Sequence, residues 1–135
     1  SVVRIHDYAF ENCKGLTNIT IPSSVESIGI EAFKNSGLTT IELPSSITSI
    51  GIGLFSSCSD LVSVKIPSSV ESIGENAFVD CTGLTNLELS SNVKSIGIMA
   101  FYGCKNLDLV IDNSKDNVEV AVQAFQNCKS VTWKK

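Results

Sequence analysis

The sequence predicts an α/β repeat solenoid, rich in β-structure, in which each coil runs strand, turn, short extended segment and helical turn. Three observations carry this. Residues Pro67 to Gly74 recur letter for letter at Pro22 to Gly29, and with two changes at Pro44 to Gly51. Phe10, Phe33, Phe55, Phe78, Phe101 and Phe125 follow one another at steps of 23, 22, 23, 23 and 24 residues. Apolar residues alternate with polar ones just ahead of each proline. A unit of this size cannot bury its apolar face alone, so it must stack on copies of itself.

The strand comes first. Leu16-x-x-Ile19-x-Ile21-Pro22 recurs as Leu38-x-x-Ile41-x-Leu43-Pro44, as Leu61-x-x-Val64-x-Ile66-Pro67 and as Leu84-x-x-Leu87-x-Leu89-Ser90. The last two apolar positions of each have the period of a half-buried strand. Proline ends the ladder because it lacks a donor, and two serines make the turn. Val25-x-x-Ile28 and its copies supply a second short apolar segment. Gly29, Gly51, Gly74 and Gly97 then follow an isoleucine each time, which predicts φ > 0 or a close backbone approach. His6 holds that place in the first coil. The stretch from Glu75 to Cys81 spaces Phe78 and Cys81 three apart, as on one face of a single helical turn.

Two places depart from the pattern. The 22-residue step comes from Lys34-Asn35-Ser36-Gly37-Leu38, one residue shorter than its counterpart Glu11-Asn12-Cys13-Lys14-Gly15-Leu16. Leu107-Asp108-Leu109-Val110-Ile111-Asp112 fits two registers. A one-residue slip would turn Leu109 and Ile111 inward and Val110 outward. The polar run Asp112 to Asn117 then replaces Pro-Ser-Ser and is expected to protrude.

The totals agree with this. The 135 residues fit one domain, 1–135, of about five to six coils of 22–24 residues, expected to be part of a longer array. With 43% apolar and 18% charged residues the chain can build a packed core. A net charge of −4 argues against a nucleic-acid surface. No run reaches the ~18 apolar residues of a membrane span, so no membrane insertion is expected.

Cys13, Cys58, Cys81, Cys104 and Cys128 each lie three residues after a repeat Phe, and Ser36 stands there in the remaining coil. Stacked at one phase, their Cβ atoms would be about 4.8 Å apart, against the ~3.8 Å of a disulfide. They read as free, buried thiols acting as small apolar groups. Paired close spacings for zinc are missing, and no cofactor or metal is expected. His6, at a turn, has no orienting partner for a cysteine nucleophile. No phosphate-binding glycine loop is present. The sequence therefore does not read as an enzyme. Asn18-Ile19-Thr20 is an N-glycosylation triplet, of a kind that arises often by chance.

What remains is surface. Two rows are expected to point out of the sheet: Asn18, Thr40, Ser63 and Asn86, and beside them Thr20, Glu42, Lys65 and Glu88. The rows, with Asp112, Lys115 and Asp116 of the irregular loop, are the candidate contact sites. They lack the Tyr, Trp and Arg that dominate strong protein interfaces, since Tyr8, Tyr102 and Trp133 fall outside them.

The unit Leu-x-x-Ile-x-Ile-Pro-x-Ser-Val-x-x-Ile-Gly-x-x-Ala-Phe-x-x-Cys resembles the BspA-type leucine-rich repeat over essentially the whole chain. The resemblance implies a curved parallel-β solenoid. It also implies a surface-exposed or secreted protein of bacteria or parasitic protozoa, in a family associated with adhesion and with binding host or matrix proteins. The expected function is a non-enzymatic protein- or glycan-binding module. The alternative is a structural spacer presenting another domain, and uncapped ends suggest end-to-end self-association.

Overall fold

The computed structural model describes residues 3–135. In chain order the strands are β1 (Arg4–Ile5), β2 (Ser27–Ile28), β3 (Thr40–Glu42), β4 (Ser49–Ile50), β5 (Ser63–Lys65), β6 (Ser72–Ile73), β7 (Asn86–Leu89), β8 (Ser95–Ile96), β9 (Asp108–Ile111), β10 (Glu119–Val120) and β11 (Ser130–Trp133). Among the described residues a single 3₁₀ turn spans Lys115–Asn117. We number the coils 1 to 6 by their phenylalanines, from Phe10 to Phe125. The short extended segments form a narrow parallel ladder, with β1 on β2 and a second run β4-β6-β8-β10. The strands ahead of the prolines form a broader ladder, in the runs β3-β5 and β7-β9-β11. The chain is thus a parallel-strand β-solenoid of about six turns.

The core is a stack of like on like. Adjacent phenylalanine rings lie 5.4, 5.9, 5.4, 5.1 and 6.3 Å apart between centroids, tilted by 4–26°. Phe33, Phe55, Phe78 and Phe101 are fully buried, and Trp133 closes the column edge-on against Phe125 at 6.2 Å. Burying one such ring contributes about 1.5–3 kcal/mol.

The cysteines form the expected second column, all as free thiols. They do more than fill space. The Cys58, Cys81, Cys104 and Cys128 thiols donate to the carbonyls of Phe33, Phe55, Phe78 and Phe101 in the preceding coils, at 2.9–3.2 Å. Each thiol thereby ties its own coil to the ring column of the one before.

The helical turns are not formed. In an α-helix each N–H would reach back four residues. Here Ala9, Glu11 and Cys13 donate three residues back, to His6, Tyr8 and Phe10, while Tyr8, Phe10 and Asn12 donate across to Ile30, Ala32 and Lys34 of the next coil. Donors therefore alternate between closing tight turns and bonding along the solenoid axis. To aim them so, two residues per coil take left-handed backbone. One set is Tyr8, Glu31, Gly53, Asn76, Met99 and Gln123, with φ of 54–62°. The other is Asn12, Asn35, Ser57, Asp80, Gly103 and Asn127, with φ of 55–78°. The second set consists of Gly, Asn, Asp and Ser, and Gly, Asn and Asp tolerate this region best. The first includes bulky side chains, whose strain of roughly 1–2 kcal/mol each is offset by the bonds to the next coil.

Of the two readings for the repeat glycines, close approach holds for Gly29, Gly74 and Gly97 but not for Gly51. A Cβ on Gly74 would come within 2.8 Å of the Gly51 carbonyl carbon, and one on Gly97 within 2.6 Å of the Glu75 nitrogen. Neither has positive φ.

Coil 5 adopts the slipped register. Leu109 pairs with Leu87 and Ile111 with Leu89, both buried inward, while Val110 faces Glu88 on the outer side. Coil 1 differs from expectation, because the stretch carrying Asn18 and Thr20 does not form a strand. Thr39 N–H bonds to Thr17 O at 2.9 Å, and beyond that point the two coils part. Nor do β5 and β7 pair, so the broad ladder is split between coils 3 and 4.

Candidate functional site

The outer face of the broad ladder carries the two expected rows. Register places Thr40 opposite Ser63 and Glu42 opposite Lys65. In the second block Asn86 lies opposite Asp108 and Glu88 opposite Val110, and these in turn face Ser130 and Thr132. Thr40, Glu42, Ser63, Lys65, Asn86 and Glu88 are all exposed. Asn18 and Thr20 are exposed too, but on backbone outside the ladder. The rows thus continue through Asp108, Ser130, Val110 and Thr132. Sequence reasoning left out these four because the one-residue slip at Asp108 hides their phase.

The charges on this face pair with one another. Glu42 meets Lys65 at 3.6 Å, Asp108 meets Lys129 at 3.3 Å and Glu88 meets Lys134 at 3.3 Å. Lys134 reaches Glu88 across two coils, over Val110. Such exposed pairs contribute about 0–1 kcal/mol each, so they set the surface potential more than the stability. Asp108 also accepts from the Ser130 hydroxyl at 2.6 Å. That bond, with Lys129 beside it, holds its carboxyl below the usual carboxylate range. Lys65 belongs to the predicted row, whereas the reach of Lys129 and Lys134 to carboxylates of earlier coils is not given by the repeat spacing.

Two depressions lie on the face. One, of about 470 Å³, lies beside coil 1 and is lined by Ile19, Thr20, Glu42, Leu43, Pro44 and Lys65, among others. The other, of about 300 Å³, lies beside the split, with Val64, Leu87 and Val110 as apolar lining and Asn86, Glu88 and Asp108 as polar lining. Both are shallow and open.

The loop after β9 is ordered by its own polar groups. The Asn113 side chain is buried, donates to Ser91 O at 3.1 Å and accepts from Ser114 N–H and the Asn117 amide at 2.8 and 3.0 Å. Ser114 caps the 3₁₀ turn by accepting from Asp116 N–H. Lys115 and Asp116 are exposed, and Asp112 pairs with Lys135 at 3.2 Å. The loop follows β9 directly, at the edge of the outward rows.

The groups that could do chemistry are separated. His6 is exposed on its turn, whereas the thiols lie in the core column. Burial pushes the Cys58 thiol up and the Cys81 thiol well up. Burial and the neighbouring Cys104 bring Cys128 to about 12. The thiolate form needed for attack or for metal binding is therefore disfavoured at these three sites. Among the described residues no three His, Cys, Asp or Glu side chains converge for a metal, and no helix is long and apolar enough to cross a membrane.

With this geometry in hand, the likeness to known proteins is specific. The BspA-type leucine-rich repeat region matches residues 3–132 in 6 copies. Among solved structures, a leucine-rich cell surface protein of Faecalibacterium prausnitzii is 35% identical with a TM-score of 0.81, over 86% of this chain and 31% of its own. The leucine-rich repeat protein of T. pallidum is 29% identical with a TM-score of 0.78, over 98% of this chain and 66% of its own. A leucine-rich repeat protein of Bacteroides ovatus is 26% identical with a TM-score of 0.60, over 93% of this chain and 44% of its own. The chain thus spans from about a third to about two thirds of the length of these relatives. No curated protein matches it. Six copies over nearly every residue, stacked with their phenylalanines in one column, place the chain in the BspA-type leucine-rich repeat family.

Proposed function

We propose that the chain is a non-enzymatic binding module of a cell-surface or secreted protein, which holds a protein or glycan ligand on the outer face of its broad ladder. The observation that carries this is the face itself: two polar rows over shallow depressions with partly apolar linings, on stacked coils. The cell-surface relative from Faecalibacterium prausnitzii supports the location. Asp112, Lys115 and Asp116 extend the face at its edge.

The test is capture of a partner from host or matrix extract. Replacing Glu42, Lys65 and Glu88 together by alanine should weaken capture while leaving the fold intact, and unchanged capture would remove the face as the site. One observation favours a second reading, a structural spacer: the charges of the face are largely neutralised by one another. In a longer protein a spacer would tolerate deletion of one whole coil without loss of activity, and a binding module would not. For the isolated chain we also propose end-to-end self-association. A sedimentation coefficient that rises with concentration would support it, and a strictly monomeric profile would end it.

A further inference from the structure

The geometry points to Asn18 as an acceptor for an N-linked glycan when the chain is carried through a secretory lumen that holds an oligosaccharyltransferase. Ten asparagines occur in the sequence, and only Asn18, in Asn18-Ile19-Thr20, has a hydroxyl residue two positions on. The structure adds what the triplet alone does not show. Residues 18–20 form no strand, although β3, β5, β7, β9 and β11 take up the equivalent place in every later coil. The one acceptor triplet therefore falls on the one stretch of this row that a transferase can draw out without breaking a paired ladder. Asn18 and Thr20 are both exposed while Ile19 between them is half-buried, so amide and hydroxyl are both open to solvent. Among the described residues nothing holds the Asn18 side chain.

In the transfer, the Asn18 amide nitrogen bonds to the anomeric carbon of an oligosaccharide carried on a polyprenyl pyrophosphate. The bond from that carbon to the pyrophosphate oxygen breaks, the polyprenyl pyrophosphate leaves, and the amide proton passes to a base of the transferase. Nothing is oxidised or reduced. The glycan would lie over the depression lined by Thr20, Glu42 and Lys65. It would screen coils 1 to 3 and leave the face of coils 4 to 6 open. The assignment stands whether or not that face binds a ligand.

The test is to express the 135-residue chain behind a cleavable secretory leader in eukaryotic cells, and to measure intact masses of the luminal and secreted protein. Loss of the leader in the same spectrum shows that the chain entered the lumen. The expected result is one glycan-sized mass increase, removed by peptide N-glycanase with conversion of Asn18 to Asp. Asn18→Gln and Thr20→Ala should abolish the increase, and Thr20→Ser should keep it. Far-UV circular dichroism of Asn18→Gln should match the parent, since the side chain is exposed. An unmodified mass after leader removal, or a glycan that persists in Asn18→Gln, would overturn the assignment.

Discussion

The turn side of the solenoid and its broad sheet are built from the same six coils, yet they differ in continuity. On the turn side every coil bonds to the next, from Tyr8 N–H on Ile30 O through to Gly103 N–H on Gln126 O. The rings run unbroken beside those bonds, and the thiol column is interrupted once, by Ser36 in coil 2. The broad ladder is interrupted twice, beside coil 1 and between β5 and β7. The turn repeats its buried residues almost without change, whereas the outward positions of the sheet vary from Asn to Lys to Val. A parallel stack holds its phase where identical side chains must interlock. Elsewhere it can splay and carry other residues. Stability thus concentrates on one side and surface variation on the other.

The largest expected break is in the column. Phe78→Ala should destabilise by about 3–5 kcal/mol, read as a lower urea midpoint, while Thr40→Ala on the sheet face should stay within roughly 0.5 kcal/mol. Equal losses would mean that the two sides share the load. A smaller and more local contrast lies in the glycines. Gly74→Ala pushes a methyl to 2.8–2.9 Å from backbone atoms of coil 3, and should cost about 1–3 kcal/mol. A Cβ at Gly51 meets only Ile28 O at 3.6 Å, so Gly51→Ala should be neutral or stabilising by about 0.4–1 kcal/mol. A thermal melt of each variant checks the pair.

The smallest effect is electrostatic and confined to the sheet. The Asp108 carboxyl titrates lower in the folded chain than in the unfolded one, because Ser130 and Lys129 stabilise its charged form. Its contribution is therefore present above the ordinary carboxylate range near pH 4 and is lost as pH falls through the lowered folded value. Asp108→Asn should be slightly less stable than the parent at pH 7 and indistinguishable from it once the parent's Asp108 is protonated in both the folded and the unfolded chain. Denaturant titrations at the two extremes measure the difference, and a gap that persists in acid would assign the effect to packing.

Much of the fold was legible because the repeat is nearly exact. One phenylalanine in each of six coils and a cysteine in five of them, at fixed phase, specify two columns, and the alternation ahead of the prolines names the strands. The register at Leu107 to Ile111 stayed open in the sequence, and pairing with β7 decided it by burying Leu109 and Ile111. The face was legible for coils 2 to 4. It was not for the pairs that Lys129, Lys134 and Lys135 make from coil 6, which join different coils and depend on distances that the repeat does not state.

The sequence by itself determined the period, the stacking of like on like and the residues of the core, because each follows from burying apolar groups at a constant interval. The tertiary structure decided the turn conformation, since a Phe–Cys spacing of three suits a helical turn and a series of tight turns alike. Only the neighbouring coil, by accepting every second N–H, selects between them. It also decided where the sheet parts and which charges meet, because both depend on distances between coils that no single coil encodes.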